Sequence, residues 1–183
     1  LYPISENSLS IVFTPLHGTG GLHAQNILSA WGYHNVTIVA EQAKPDGSFP
    51  TVVKPNPEEP AALSLAIAQA TKNGAQLVLA TDPDADRLAL AIHEPKYAKT
   101  LFAHQANGEF ILLNGNQIAT LLFDYIISAK EGLAQMPPKP ALIKTIVTSG
   151  ILDKIASAKG VDVFNTLTGF KYIGNLITTW EKE

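Results

Sequence analysis

Asp82, Asp84 and Asp86 alternate in the stretch Thr81-Asp82-Pro83-Asp84-Ala85-Asp86-Arg87, directly behind the apolar run Leu77-Val78-Leu79. Carboxylates at i, i+2 and i+4 in a tight Pro-containing loop can converge on one point. Two like charges about 4 Å apart repel by about 4 kcal/mol at an effective dielectric near 20, so such a cluster calls for a cation. Oxygen donors without His or Cys suit Mg²⁺ or Mn²⁺. Mg²⁺ prefers octahedral coordination, which leaves room beside these carboxylates for water and a phosphate oxygen. Arg87 carries the planar fork that grips a phosphate. A solvated turn is the plainer reading of Asp and Pro together, but alternating Asp behind a buried strand favour the metal.

Other acidic loops fit less well. Counting from Asp82, positions six and twelve of an EF-hand loop fall on Arg87 and His93, where Gly and a bidentate Glu are required. A phosphatase loop of the D-x-D-x-T/V type meets Leu88 at its last position.

Two more polar loops carry candidates. Thr14-Pro15-Leu16-His17-Gly18-Thr19-Gly20-Gly21 joins a strand signal to a helix start. Its N–H groups and the helix dipole favour an anion, although it is neither G-x-G-x-x-G nor a P-loop. It reads equally as a connecting turn, and His17 as either a structural or an active-site histidine. In Thr166 to Gly174, Lys171 lies in the first turn of a predicted helix, where a cation opposes the dipole unless an anion sits beside it. Phosphate contact or proton transfer competes there with an ordinary surface lysine.

The elements that must position these loops follow from periodicity. Strands are predicted at Ser10 to Thr14, Val36 to Val39, Gln76 to Ala80 and Leu88 to Ile92. Helices are predicted between them, from Leu22 to Trp31 and from Ala61 to Thr71. Pro45 to Pro60 is a long loop. Alternating strand and helix makes an α/β layer pattern. Pro95 to Asn107 loses periodicity and is taken as a domain boundary. Beyond it are predicted a helix Leu113 to Ala129, a strand Ala141 to Val147, a helix Ser149 to Ala158, a strand Val161 to Phe164 and a helix Phe170 to Trp180.

Composition bounds the partners. With 13 Lys+Arg against 16 Asp+Glu among 183 residues the net charge is −3, which disfavours a nucleic-acid backbone. No run of about 18 apolar residues marks a membrane span. The absence of cysteine excludes disulfides, thiolate metal sites and a thiol nucleophile, and fits a cytoplasmic setting. Leu1 opens the chain and its single methionine is Met136, so an excised piece of a longer protein is expected.

Taken in order, Thr14 to Gly20 (T-P-L-H-G-T-G), Pro55-Asn56-Pro57-Glu58, Thr81 to Arg87, Gly115-Asn116-Gln117 and Thr168-Gly169-Phe170-Lys171 resemble the motifs of the α-D-phosphohexomutase family. That family includes phosphoglucomutases and phosphomannomutases. The resemblance implies two consecutive three-layer α/β/α domains, the second incomplete: the family's domain II in residues 1–104 and part of its domain III in 105–183. No T-x-S-H-N-P loop is present, and Val147-Thr148-Ser149-Gly150 does not match it. The phosphoserine of the family is therefore expected outside this chain, and the isolated chain is expected to be inactive.

By the same resemblance the intact enzyme is a Mg²⁺-dependent isomerase. It moves a phosphoryl group between C1 and C6 of a hexose phosphate through a bisphosphosugar, with glucose 1,6-bisphosphate as activator. Asp82, Asp84 and Asp86 hold the metal. Arg87, Lys171 and His17 are the implied catalytic residues, and Thr168, Gly169 and Lys171 the implied substrate contacts. The partners are a sugar phosphate and the remaining domains of the same polypeptide. Mannose or pentose phosphates are alternative substrates. A sugar-phosphate binding module without chemistry, a metal-dependent phosphatase and a nucleotidyl transferase are alternatives in other classes.

Overall fold

A computed structural model describes residues 9–100 and 105–182 of the chain. The chain divides into two compact units, one running to Gly115 and the other beginning at Asn116.

The first unit is built on β1 (Ile11–Thr14), α1 (Gly20–Ala30), β2 (Val36–Ile38), α2 (Ser64–Asn73), β3 (Leu77–Thr81), β4 (Leu88–His93), α3 (Pro95–Ala98), β5 (Ala106–Asn107) and β6 (Phe110–Leu113). Its six strands form one sheet in the order β2-β1-β3-β4-β6-β5. β1 runs parallel to β2 and β3, while β3–β4, β4–β6 and β5–β6 are antiparallel. All residues of β1 are buried, as an interior parallel strand requires. In β3, Val78 and Ala80 alternate inward; α2 lays Ala66, Ile67 and Ala70 on the same core as Val12 and Val78. Small alanines on both partners let the helix approach the sheet closely. α2 stops at Gly74, whose φ of 64° only glycine adopts freely; the Ala75 N–H then reaches back to the Ala70 carbonyl at 2.8 Å.

Expected strands and helices of this unit appear with ends shifted by a few residues. The boundary does not stand where it was expected. Residues 101–104 lie outside the described residues, but β5 and β6 continue the first sheet through the pairs Leu90↔Leu113 to His93↔Phe110. The boundary is expected at Pro95 to Asn107 because that stretch loses periodicity. Pro95 instead opens α3 at a position where its missing N–H is harmless.

The second unit holds α4 (Gly115–Gly132, whose first residue closes the first unit), β7 (Ala141–Thr145), α5 (Ile151–Ala158), β8 (Asp162–Thr166) and α6 (Phe170–Trp180). β7 and β8 pair in parallel from Ala141↔Asp162 to Thr145↔Thr166. Ile127 of α4, Ala156 of α5 and Val161 form its buried centre, with Phe123, Met136, Leu142 and Val163 packed around it. α6 buries no residue fully, and Trp180 meets Phe164 edge-on at 4.7 Å. Among the described residues no helix is long and apolar enough to cross a membrane.

Candidate metal centre

The last pair of the β3–β4 hairpin is Thr81↔Leu88, so residues 82–87 form its loop. The Asp82 carbonyl accepts the Ala85 N–H at 3.0 Å, which tightens the turn. Ala85 takes φ 60°, a left-handed conformation that costs a non-glycine residue about 1–2 kcal/mol. Folded this way, Asp82, Asp84 and Asp86 each bring a carboxylate oxygen within 4.8 Å of the others. Asp82 is fully buried, whereas Asp84 and Asp86 are exposed. The donor set is carboxylate oxygen alone, and its deepest member is fixed, which fits a hard divalent cation such as Mg²⁺.

Arg87 does the fixing. Its backbone N–H donates to Asp82 Oδ1 at 3.0 Å and its Nε donates to Oδ2 at 2.6 Å. Nη1 donates to Asn56 Oδ1 at 3.3 Å, tying the loop to the Pro55–Glu58 segment. Burial pushes the Asp82 carboxyl up, but the hydrogen bonds from the Arg87 backbone and guanidinium outweigh it. The net result holds Asp82 below the usual carboxylate range. Asp86 moves the other way, raised first by sharing a hydrogen bond with Asp82 and then by the charge of Asp84. Arg87 itself is raised, chiefly by its bond to Asp82. The cluster has more negative charge than its one arginine offsets.

The Thr14–Gly21 loop lies in the same unit. Leu16 and His17 both take positive φ, 47° and 61°. Bonds from Leu16 N–H to Thr14 Oγ1 and from His17 N–H to the Gln42 carbonyl, both near 3 Å, hold them there. His17 is buried, and its Nε2 lies 2.8 Å from Thr51 Oγ1. Gln42 completes the network: its Oε1 accepts from Thr14 Oγ1 at 2.6 Å and its Nε2 donates to Thr51 at 2.9 Å. Gln42, Thr51 and Asn56 were not picked out as site residues. The P-N-P-E segment could have flagged Asn56, whereas no spacing links Gln42 or Thr51 to His17.

In the second unit Thr168, Gly169 and Lys171 follow β8. Gly169 has φ 129°, Thr168 and Lys171 are exposed, and Lys171 Nζ stands 4.9 Å from the Tyr172 ring centre. They sit at the C-terminal ends of two parallel strands, where ligands of open α/β sheets bind. The neighbouring turn after β7 is tied down: Ile146 N–H donates to the Thr166 carbonyl at 2.9 Å, and Ser149 N–H to Asn116 Oδ1 at 2.8 Å. Buried Lys144 joins it, reaching the Thr148 carbonyl and the Asp153 carboxylate at 3.2 Å each.

Comparison with known proteins follows this division. Residues 1–95 match the family model described as phosphoglucomutase/phosphomannomutase, alpha/beta/alpha domain II, and residues 114–181 match that of domain III. A phosphoglucomutase of Staphylococcus saprophyticus is 37% identical over 98% of this chain, which spans 30% of that protein. A probable phosphoribomutase of Schizosaccharomyces pombe is 35% identical over the whole chain, 29% of its own length. A phosphoglucomutase/phosphomannomutase family protein of Burkholderia thailandensis shares the fold, with a TM-score of 0.68 at 20% identity, over 93% of this chain and 32% of that one. The chain therefore spans about 30% of the length of the curated relatives it matches.

Proposed function

The chain belongs to the phosphoglucomutase/phosphomannomutase family, and from that premise we propose that the protein containing it moves a phosphoryl group between two oxygens of a sugar phosphate. The observation that carries this reading is the acidic hairpin loop, with its carboxylates converged and Asp82 locked by Arg87.

Phosphoryl transfer needs positioning and charge neutralisation more than covalent help. Asp82, Asp84 and Asp86 would hold Mg²⁺, which when bound neutralises charge on phosphate oxygens. In the proposed reaction the donor is a phosphoserine outside these 183 residues. Its P–O bond breaks as a sugar hydroxyl oxygen bonds phosphorus, and that hydroxyl gives up its proton. The bisphosphosugar then returns its other phosphoryl group to the serine, and the freed sugar oxygen takes a proton back. Glucose 1,6-bisphosphate would act as activator by priming that serine. Glucose 1-phosphate and glucose 6-phosphate are the proposed pair; the names of two relatives add pentose and mannose phosphates as alternatives.

Within this scheme Arg87 orients the loop through Asp82 and Asn56, and His17 positions the first loop through Thr51. Thr168 and Gly169 shape the substrate side, and Lys171 carries the proton or grips a phosphate. Sugar phosphate and the rest of the polypeptide are the proposed partners, and the cytoplasm the proposed setting. Kinetics of Lys171→Ala in the full-length enzyme test the scheme. A proton carrier costs kcat roughly 10²- to 10⁴-fold, while a phosphate grip raises KM with kcat nearly held. Unchanged constants would remove Lys171 from the site.

A further inference from the structure

We propose that Thr19, with Gly18 and Gly20, is a positioning device for the acidic loop: it sets the geometry in which Asp82, Asp84 and Asp86 take a divalent cation without touching that cation. The inference rests on the metal reading above and adds residues to which that reading gives no role.

Thr19 is the N-cap residue of α1. A threonine there ordinarily turns its hydroxyl to its own helix and accepts a backbone N–H of the first turn. Thr19 makes no such bond. Its Oγ1 donates instead to the Pro83 carbonyl at 3.2 Å, and its backbone N–H donates to the same oxygen at 2.9 Å. Pro83 lies between Asp82 and Asp84, so its peptide orientation governs how those carboxylates diverge. A carbonyl held by two donors is not free to rotate.

The glycines on either side make that grip possible. A Cβ on Gly18 would stand 2.2 Å from Pro83 Cα, and one on Gly20 would stand 2.5 Å from Thr81 Oγ1 and 3.5 Å from Ala85 Cβ. Neither glycine is present for a positive φ. At Gly18 the backbone of Pro83 passes where a side chain would begin, and at Gly20 the Thr81 hydroxyl and the Ala85 methyl take that space. Successive residues 18, 19 and 20 thus press on positions 81, 83 and 85, the residues alternating with the aspartates. The first loop templates the second.

Thr19 is exposed, so it can be changed without opening the core. The test is calorimetric titration of the 183-residue chain with Mn²⁺, comparing Thr19→Val, Thr19→Ser and Asp86→Asn. Removing the hydroxyl donor is expected to weaken Mn²⁺ binding about 3- to 10-fold. Thr19→Ser should return it to within about twofold of the parent, with the thermal midpoint of the metal-free chain unchanged in both. Parent-like affinity in Thr19→Val alongside loss in Asp86→Asn overturns the positioning role alone. Weakening that serine does not reverse overturns it too. Parent-like affinity in both Thr19→Val and Asp86→Asn overturns the metal reading and this inference together.

Discussion

Asp82 and Asp86 stand four residues apart in one loop, yet their environments push them in opposite directions. Asp82, lowered, contributes stability above the ordinary carboxylate range and loses it as pH falls through its depressed folded value. Asp86, raised, contributes only while it holds its proton, and that contribution is lost as pH rises through its elevated folded value. At neutral pH, therefore, the Asp86 charge works against a loop that holds no cation. Asp86→Asn should raise the melting temperature in chelator at pH 7, and the advantage should shrink toward pH 3, where the parent carboxyl is protonated. The same variant should lose most of the Mg²⁺-dependent gain in melting temperature that binding to the native state supplies. Scanning calorimetry with and without Mg²⁺ at both pH values checks each part. The convergence of these aspartates was legible, because i, i+2, i+4 spacing leaves few places for carboxylates to go. The conformation of Leu16 and His17 was not. Two bulky residues at positive φ are held by Thr14 and Gln42, and the Gln42 contact joins segments far apart in the chain.

At the scale of elements, segments with clear apolar periodicity were readable, down to three-residue β2, and two-residue β5 was not. The span of α6 is the one that hydrophobic spacing predicts, and β1, β3 and β4 appear within a residue or so of their predicted ends. β5 has two residues, too few to show alternation. A signal was nevertheless present: Asn107-Gly108 is a strong hairpin dipeptide, and Gly108 takes φ 62° in the turn between β5 and β6. Tertiary pairing with β4, not propensity, assigns this hairpin to the first unit. Phe110, 1% exposed, is part of the same core as Val12 and Val78. Phe110→Ala should therefore destabilise the first unit by about 3–5 kcal/mol, although it lies beyond the boundary that the sequence suggested. Urea denaturation of a chain ending at Gly115 measures this directly. A loss below about 1 kcal/mol would mean that β6 contributes little to that core.

At the scale of the whole molecule, what the motifs conveyed was order: four of the loops recognised in the sequence follow a strand, Pro55–Glu58 lies in the long loop before α2, and the order of the loops matches the order of the two family domains. The sheet of the first unit has a further property that follows from its strand order. Its outermost strands are its shortest, β2 with three residues and β5 with two, while five-residue β3 and six-residue β4 lie inside. Exposed sheet margins recruit other chains by backbone pairing, and natural proteins blunt them with short strands. Ending the chain at residue 104 would strip β5 and β6 and leave β4 as an open margin with its whole ladder unpaired on one side. Such a fragment should self-associate and grow in light scattering with concentration, while one ending at 115 should remain of constant size. The small β5–β6 hairpin thus serves as a cover against aggregation, protecting by its shortness what a longer strand would extend.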